Sequence, residues 1–325
     1  MSHLRLGTRR SLLATTQSQW VADLLRAQGH TVELVEIVTE GDTNRAALRD
    51  LGGTGVFASA LREALRSGAV DVAVHSYKDL PTADEPGLVI GAVPRREDPR
   101  DVVVARDGLT LAELPTGAVV GTGSPRRLAQ VAGLGLGLTF RDIRGNVDTR
   151  IGYVRDGDLD AVILARAGLS RLGRVDEATE VLDPIQMLPA PAQGALAVEC
   201  RADDAATREV LATIDDADAR ACAVAERAIL ARLQAGCHAP IGALAEVVDA
   251  PAGLQISLRA VLGSADGATL LRRSLVGSAD DPAALGSALA DRLLEDGAAD
   301  LTDHITDPRP SGTSAPLDSD KDTPK

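Results

Sequence analysis

The stretch VDVAVHSYKDLP, residues 70–81, sets the architecture. Its first part, VDVAVHS (70–76), is a short apolar run of the length of a strand, and it gives way to Ser76, Lys78 and Asp79 where the strand should end. The same grammar recurs in LRLGT (4–8), VELVEIV (32–38), LVIGAV (88–93), DVVVA (101–105), AVVGT (118–122), LTFRDI (138–143), DAVILA (160–165) and ALAVEC (195–200), with amphipathic stretches between most of them. Short apolar runs alternating with helical ones are the signature of βα units feeding a largely parallel sheet, an α/β fold.

A length of 325 residues exceeds what one core supports, so two or three domains are expected. The polar, proline-broken VPRREDPRD (93–101) and the segment MLPAPAQG (187–194) suit two crossings between domains, with ALAVEC returning to the first sheet. This gives a discontinuous first domain (1–94 and 195–213) and a second at 100–188. A third, at 216–306, begins with a long helix read over 215–234 and stopped by Gly236. It continues with strands LQISLRAVL and TLLRRSLVG about an Asp266-Gly267 turn, and a helix from Asp281-Pro282. Residues 307–325, rich in Pro, Ser, Thr and Asp, read as a disordered tail.

A net charge of −13 and a pI near 4.9 argue against general binding to nucleic acid or an anionic membrane. The start MSHLRLGTRRSLLATTQ lacks a secretory apolar segment, so a cytoplasmic protein is expected. Cys200, Cys222 and Cys237 are odd in number and widely spaced, which suits neither a disulfide framework nor a zinc site. Cys237 follows a helix C-terminus, where the dipole does not activate a thiolate; on a mobile loop it could be a covalent anchor or an ordinary free thiol.

Cations gather where strands end. Arg9, Arg10 and Ser11 follow LRLGT; Lys78 and Asp79 follow VDVAVHS; Ser124, Arg126 and Arg127 follow AVVGT; Arg144, Asn146 and Arg150 follow LTFRDI; Arg171 follows DAVILA. Lys78 is also the only lysine before residue 321 in a chain otherwise supplied with arginine, which suggests a site for a compact ammonium. Ser124 can cap a helix starting at Pro125, yet adjacent arginines in a first turn oppose the helix dipole, implying an anion beyond the helix end. Since ligands of open α/β sheets sit at the carboxyl ends of strands, a ligand bearing several carboxylates or phosphates is expected. A rival reading is a non-catalytic anion-binding module. A third, a dinucleotide site at Gly53-Thr54-Gly55, lacks the strand that should run into it.

Nine stretches together resemble the porphobilinogen deaminase (hydroxymethylbilane synthase) family: GTRRS, LGGTGVF, DVAVHSYKDLP, REDPRD, GTGSPRR, RGNVDTR, DAVILARAGLSRLG, LPAPAQGALAVECR and AERAILARLQAGCHAPIG. The resemblance implies three domains, the first two doubly wound mixed sheets resembling type II periplasmic binding proteins, the third a small α/β domain with an antiparallel sheet. It implies a monomeric transferase that joins four porphobilinogen units head to tail into hydroxymethylbilane, losing ammonia at each step, in haem and tetrapyrrole biosynthesis. It implies no metal, and a dipyrromethane cofactor held by a thioether to Cys237. Asp79 matches the catalytic aspartate. Arg9, Ser11, Ser76, Lys78, Ser124, Arg126, Arg127, Arg144, Asn146, Arg150, Arg171 and Gln193 match cofactor and substrate contacts, and Gly53, Thr54, Gly55 and Phe57 an active-site loop. Alternation along a strand would send Lys78 and Asp79 to opposite sides. Thr54, Gly123 and Ala192 depart from the family pattern, the first where lysine is common, the second where serine is, the third where glycine is.

Overall fold

The computed structural model describes residues 1–37, 55–236, 239–251, 253–264 and 266–301, with side chains from residue 58 onward in the second segment. The first sheet contains β1 (His3–Thr8), β2 (Thr31–Glu36), β3 (Val72–Ser76), β4 (Leu88–Ala92) and, from far along the chain, β10 (Leu196–Arg201). Its order is β2-β1-β3-β10-β4, with the first three parallel and β10 antiparallel to both neighbours. The second sheet is built from β5 (Asp101–Ala105), β6 (Val119–Gly121), β7 (Thr139–Arg141), β8 (Ala161–Ala165) and β9 (Glu180–Val181) in the order β7-β6-β8-β5-β9. It repeats the pattern: three parallel strands, then β5 antiparallel, then an edge. In each sheet the antiparallel strand is the one that the chain enters directly from the other sheet.

Strands covered on both faces need little alternation, and β3 and β5 are nearly continuous apolar runs. Helix α1 (Leu12–Ala27) buries Val21, Ala22 and Leu25 against Leu6, Val74 and Val198; α2 (Gly55–Arg66) places Leu61 and Leu65 on the opposite face with Val70 and Ala73. In the second sheet, α3 (Pro125–Ala132) and α4 (Val147–Arg155) cover opposite faces, and α5 (Arg166–Arg171) follows β8. Serine 11, Ser124 and Asn146 cap α1, α3 and α4, each accepting a backbone N–H of the first turn.

After α6 (Ala205–Ala212) and α7 (Ala217–Arg232), strands β11 (Ile241–Ala250), β12 (Gly253–Gly263) and β13 (Leu270–Ser278) form an antiparallel sheet, backed by α7 and α8 (Pro282–Glu295); a short α9 (Ala298–Leu301) follows. Gly286 lets α8 lie against α7, since a Cβ there would meet Ala225 O at 2.1 Å. One carboxylate ties this unit to both crossings. Glu226, fully buried on α7, accepts from Arg96 Nη1 and Nη2 (2.7 and 2.9 Å), Ala192 N (2.6 Å) and Ala245 N (2.8 Å). Four donors make a buried charge tolerable.

Three local expectations differ. The long helix ends at Arg232 with Leu233 as its cap, and Gln234 takes the left-handed region (φ 49°) two residues before the glycine expected to stop it. β11 has no counterpart among the strands read from sequence. Tyr77–Asp79 form one 3₁₀ turn rather than extended chain, so Lys78 and Asp79 diverge by about a third of a turn and not by strand alternation. Residues 302–325, including the whole of the expected tail (307–325), lie outside the described residues.

Candidate active site

The carboxyl ends of β1 and β3 in one sheet and of β6, β7 and β8 in the other carry the residues singled out in sequence. From the first sheet, β3 ends at Ser76, whose hydroxyl is fixed by Gln17 Nε2 of α1 at 3.0 Å. The 3₁₀ turn then exposes Asp79 and leaves Lys78 half-buried, with Nζ donating to Gln193 Oε1 at 3.2 Å. Burial pushes the Lys78 ammonium down to about 8, opposed by Asp79 and reinforced by Arg127. Arg9 lies half-buried just after β1, and Ser11 spends its hydroxyl on the α1 cap.

The second sheet contributes most of the cations. The anion that sequence placed beyond the α3 terminus proves to include one of the chain's own: Asp101, at the start of β5. Arg126 Nη1 donates to Asp101 Oδ2 (2.7 Å) and Leu188 O (2.7 Å); Arg127 donates from Nη2 (2.8 Å) and Nε (3.2 Å) to Asp101 Oδ1, and from Nη1 to Ile163 O (2.9 Å). Burial would raise the Asp101 carboxyl, but the two guanidinium groups hold it far below the usual carboxylate range. Gln193 Nε2 completes the cluster, donating to Asp101 Oδ1 (2.9 Å) and Pro99 O (2.7 Å). A chain of contacts thus runs Lys78–Gln193–Asp101–Arg127 from one sheet to the other.

Around it, Arg150 is half-buried, with Nε on Gly145 O at 2.9 Å; burial lowers its pKa, as do Arg127 and Arg144, while Asp142 and then Asp79 pull it upward. Arg144 is exposed, 3.7 Å from Asp142. Asn146 spends its side-chain oxygen on Thr149 as the α4 cap. Arg171 donates to Gly194 O at 2.7 Å, and burial pushes it down to about 10. Gly53, Thr54 and Cys237 lie outside the described residues, as does the side chain of Phe57; Gly55 opens α2.

Two departures from the family pattern have local causes. A Cβ on Gly123 would meet Ile143 O at 2.6 Å, so this backbone leaves no room for serine. Ala192 sits at φ 60°, the left-handed region that glycine occupies without strain, and its N–H is one of the four on Glu226.

The residues missed in sequence are Asp101, Glu226 and Arg227. Asp101 stood inside the quoted REDPRD, and an acid on the buried face of an alanine-rich helix was a signal for Glu226. Arg227 reads as an ordinary helical surface cation.

Cations that burial chiefly, and neighbouring arginines in addition, make costly to keep charged fit a ligand bearing several carboxylates, whose charge would offset both. Among the described residues no cluster of ligating side chains could hold a metal ion.

The family model for "Porphobilinogen deaminase, dipyromethane cofactor binding domain" matches residues 4–209, and that for "Porphobilinogen deaminase, C-terminal domain" residues 220–295. The porphobilinogen deaminase of Mycobacterium tuberculosis (strain H37Rv) is 58% identical over 303 residues, 92% of this chain and 98% of that one. The chain belongs to the porphobilinogen deaminase family. The Mycobacterium marinum enzyme is 56% identical, again over 92% of this chain and 96% of its own. Solved structures outside the family align more loosely. The methionine-binding protein MetQ covers 65% of this chain and 89% of its own, at 14% identity and a TM-score of 0.43, a likeness too weak to bear on function.

Proposed function

We propose that the protein is a transferase that condenses four porphobilinogen units head to tail into hydroxymethylbilane, releasing one ammonia per addition, on a dipyrromethane held by Cys237. The observation that carries the reading is the gathering of Lys78 and Arg150 where the charge of the exposed Asp79 acts on both, beside the Asp101-bound Arg127, with family membership supporting the reaction. The dipyrromethane, when bound, supplies the pyrrole carbon at which the chain grows.

Each substrate unit brings an acetate and a propionate. Arg9, Arg144, Arg150 and Arg171 are assigned to these carboxylates, for which forked guanidinium donors are suited. Arg126 and Arg127 are assigned the same role; Asp101 fixes their orientation, so each has donors to offer only beyond those already committed. Ser11, Ser76, Ser124 and Asn146 present hydroxyl and amide groups at the same strand ends, and Gln193 orients the Lys78 ammonium. Asp79 would set its carboxylate against the ring nitrogens, where it could stabilise developing positive charge or, in turn, take and return the proton exchanged in coupling. Gly53, Thr54, Gly55 and Phe57 are assigned to a loop over the site.

A lengthening product needs room. The two crossings, 93–101 and 187–194, run side by side as Arg96 and Ala192 meet on Glu226, and they are assigned to a paired hinge between a first domain (1–94, 195–213) and a second (100–188). The protein is assigned to the cytoplasm as a monomer; among the described residues no helix is long and apolar enough to cross a membrane.

The test is incubation with porphobilinogen, following ammonia and linear tetrapyrrole. The wild type should release one ammonia per unit consumed. A folded wild type that consumes no porphobilinogen would refute the reading.

A further inference from the structure

Asp79 owes its position to a residue of another part of the molecule. Arg227, on α7, donates from Nη1 to Tyr77 O (2.9 Å) and Leu80 O (3.0 Å) and from Nη2 to Pro81 O (2.6 Å). Its guanidinium carbon also lies 4.4 Å from the centroid of the Tyr77 ring. The gripped residues, 77, 80 and 81, bracket Lys78 and Asp79. The turn itself is closed by a single, long backbone bond, Leu80 N to Tyr77 O at 3.3 Å. Tyr77 N also donates to Ala195 O at 3.1 Å, and Tyr77 and Leu80 are buried in one apolar cluster, so the fork that α7 presents adds three bonds to a turn anchored at its two ends.

The same helix is anchored on both sides of the site. Its N-cap residue Asp216 donates its N–H to Val93 O at 2.9 Å in the first crossing, and Glu226, next to Arg227, collects both crossings. The helix ends at Arg232, and Cys237 follows in sequence. We propose that Arg227 is a positioning residue for Asp79: by seizing three carbonyl groups and the ring of Tyr77 it fixes the carboxylate-bearing turn to α7.

The inference rests on the functional reading above and deepens it. A planar fork can meet three carbonyls and lie over a ring at once, whereas an ammonium on a flexible stem holds fewer of these contacts in one geometry. Displacement of a reacting group by about 1 Å can cost on the order of 10²-fold in rate.

The test compares Arg227→Met, which keeps the apolar stem, and Arg227→Lys, which keeps the charge, alone and combined with Asp79→Asn. Each is purified as holoenzyme and measured for cofactor content by intact mass, for thermal midpoint, and for kcat and KM with porphobilinogen. Arg227→Met should retain cofactor and keep KM within about threefold while kcat falls roughly 30- to 100-fold. Arg227→Lys should recover part of the loss. In the Asp79→Asn background, Arg227→Met should cost less than about threefold, since the carboxylate that it places is gone.

An Arg227→Met enzyme with kcat within about threefold of wild type overturns the proposal, as does an equal fold-loss in both backgrounds or a loss that follows cofactor content. If the methionine variant does not fold, the lysine variant decides: a reduced kcat at unchanged KM supports the proposal, and a wild-type kcat overturns it. Absence of cofactor and of ammonia release from the wild type would bring down the functional reading and this inference together; a wild type active on both counts with Arg227 inert would bring down this one alone.

Discussion

Asp79 and Asp101 are two aspartates whose charges both act on Lys78, and they are built for opposite ends. Asp101 is wholly buried and accepts from Arg126, Arg127 and Gln193. Asp79 stands exposed on a single 3₁₀ turn. A carboxylate whose lone pairs are filled by fixed donors is part of the architecture, because breaking it away leaves two buried cations uncompensated. A carboxylate left open among cations has its capacity in hand for a ligand. The difference lies in what surrounds each acid, since the residue type is the same.

Substitution should separate the two. Asp79→Asn should lower turnover by roughly 10²- to 10⁴-fold, as for loss of a positioned acid–base group, while urea denaturation stays within about 0.5 kcal/mol of wild type. Asp101→Ala should strike stability as well, costing about 3–5 kcal/mol in the same denaturation experiment, because Arg126 and Arg127 are left buried without a counter-charge. A stable Asp101→Ala protein would erase the contrast.

The pH dependence sharpens it. The carboxyl of Asp101 titrates below its unfolded value, so its contribution to stability is present above about pH 4 and is lost only as pH falls through the depressed folded pKa. Lys78 runs the other way: with a folded pKa of about 8 against 10.5 for the free side chain, the unfolded chain holds more protons between those values. Stability of cofactor-free protein should therefore rise with pH across that window, and Lys78→Met should level the rise. Uptake of the anionic cofactor needs the ammonium and should weaken above pH 8 by up to about tenfold per unit, whereas Lys78→Arg should flatten that decline.

The smallest expected effect concerns a bystander to both acids. Ala192→Gly relieves a left-handed alanine, worth about 1 kcal/mol, but removes a fully buried methyl of similar value, so denaturation should shift by less than about 1 kcal/mol.

The α/β character was legible because strands packed on both faces announce themselves as apolar runs; DVVVA is β5 to the residue. β11 was not, since its buried half, Ile241–Ala245, mixes glycine and alanine into a pattern that no period picks out. The residues after each strand were visible as a coincidence of arginines at strand ends. Their partners were not: Asp101 meets arginines 25 and 26 positions away, and Arg227 grips carbonyls about 150 positions away, so neither spacing nor helix dipole could point to them. The cap of Ser124 on the helix from Pro125 was legible, whereas strand alternation at Lys78 and Asp79 failed because the apolar run stops at Ser76 and a turn begins.

The proposed function requires a pyrrole pair bound to the sulfur of Cys237. Intact mass of the purified protein, alone and as Cys237→Ser, tests it most directly, with acidic p-dimethylaminobenzaldehyde as a colour check for pyrrole. The wild type should exceed its sequence mass by one dipyrromethane and give the pyrrole colour, and Cys237→Ser should do neither. A folded wild type at bare sequence mass, or a serine variant that still carries the added mass, would contradict the account.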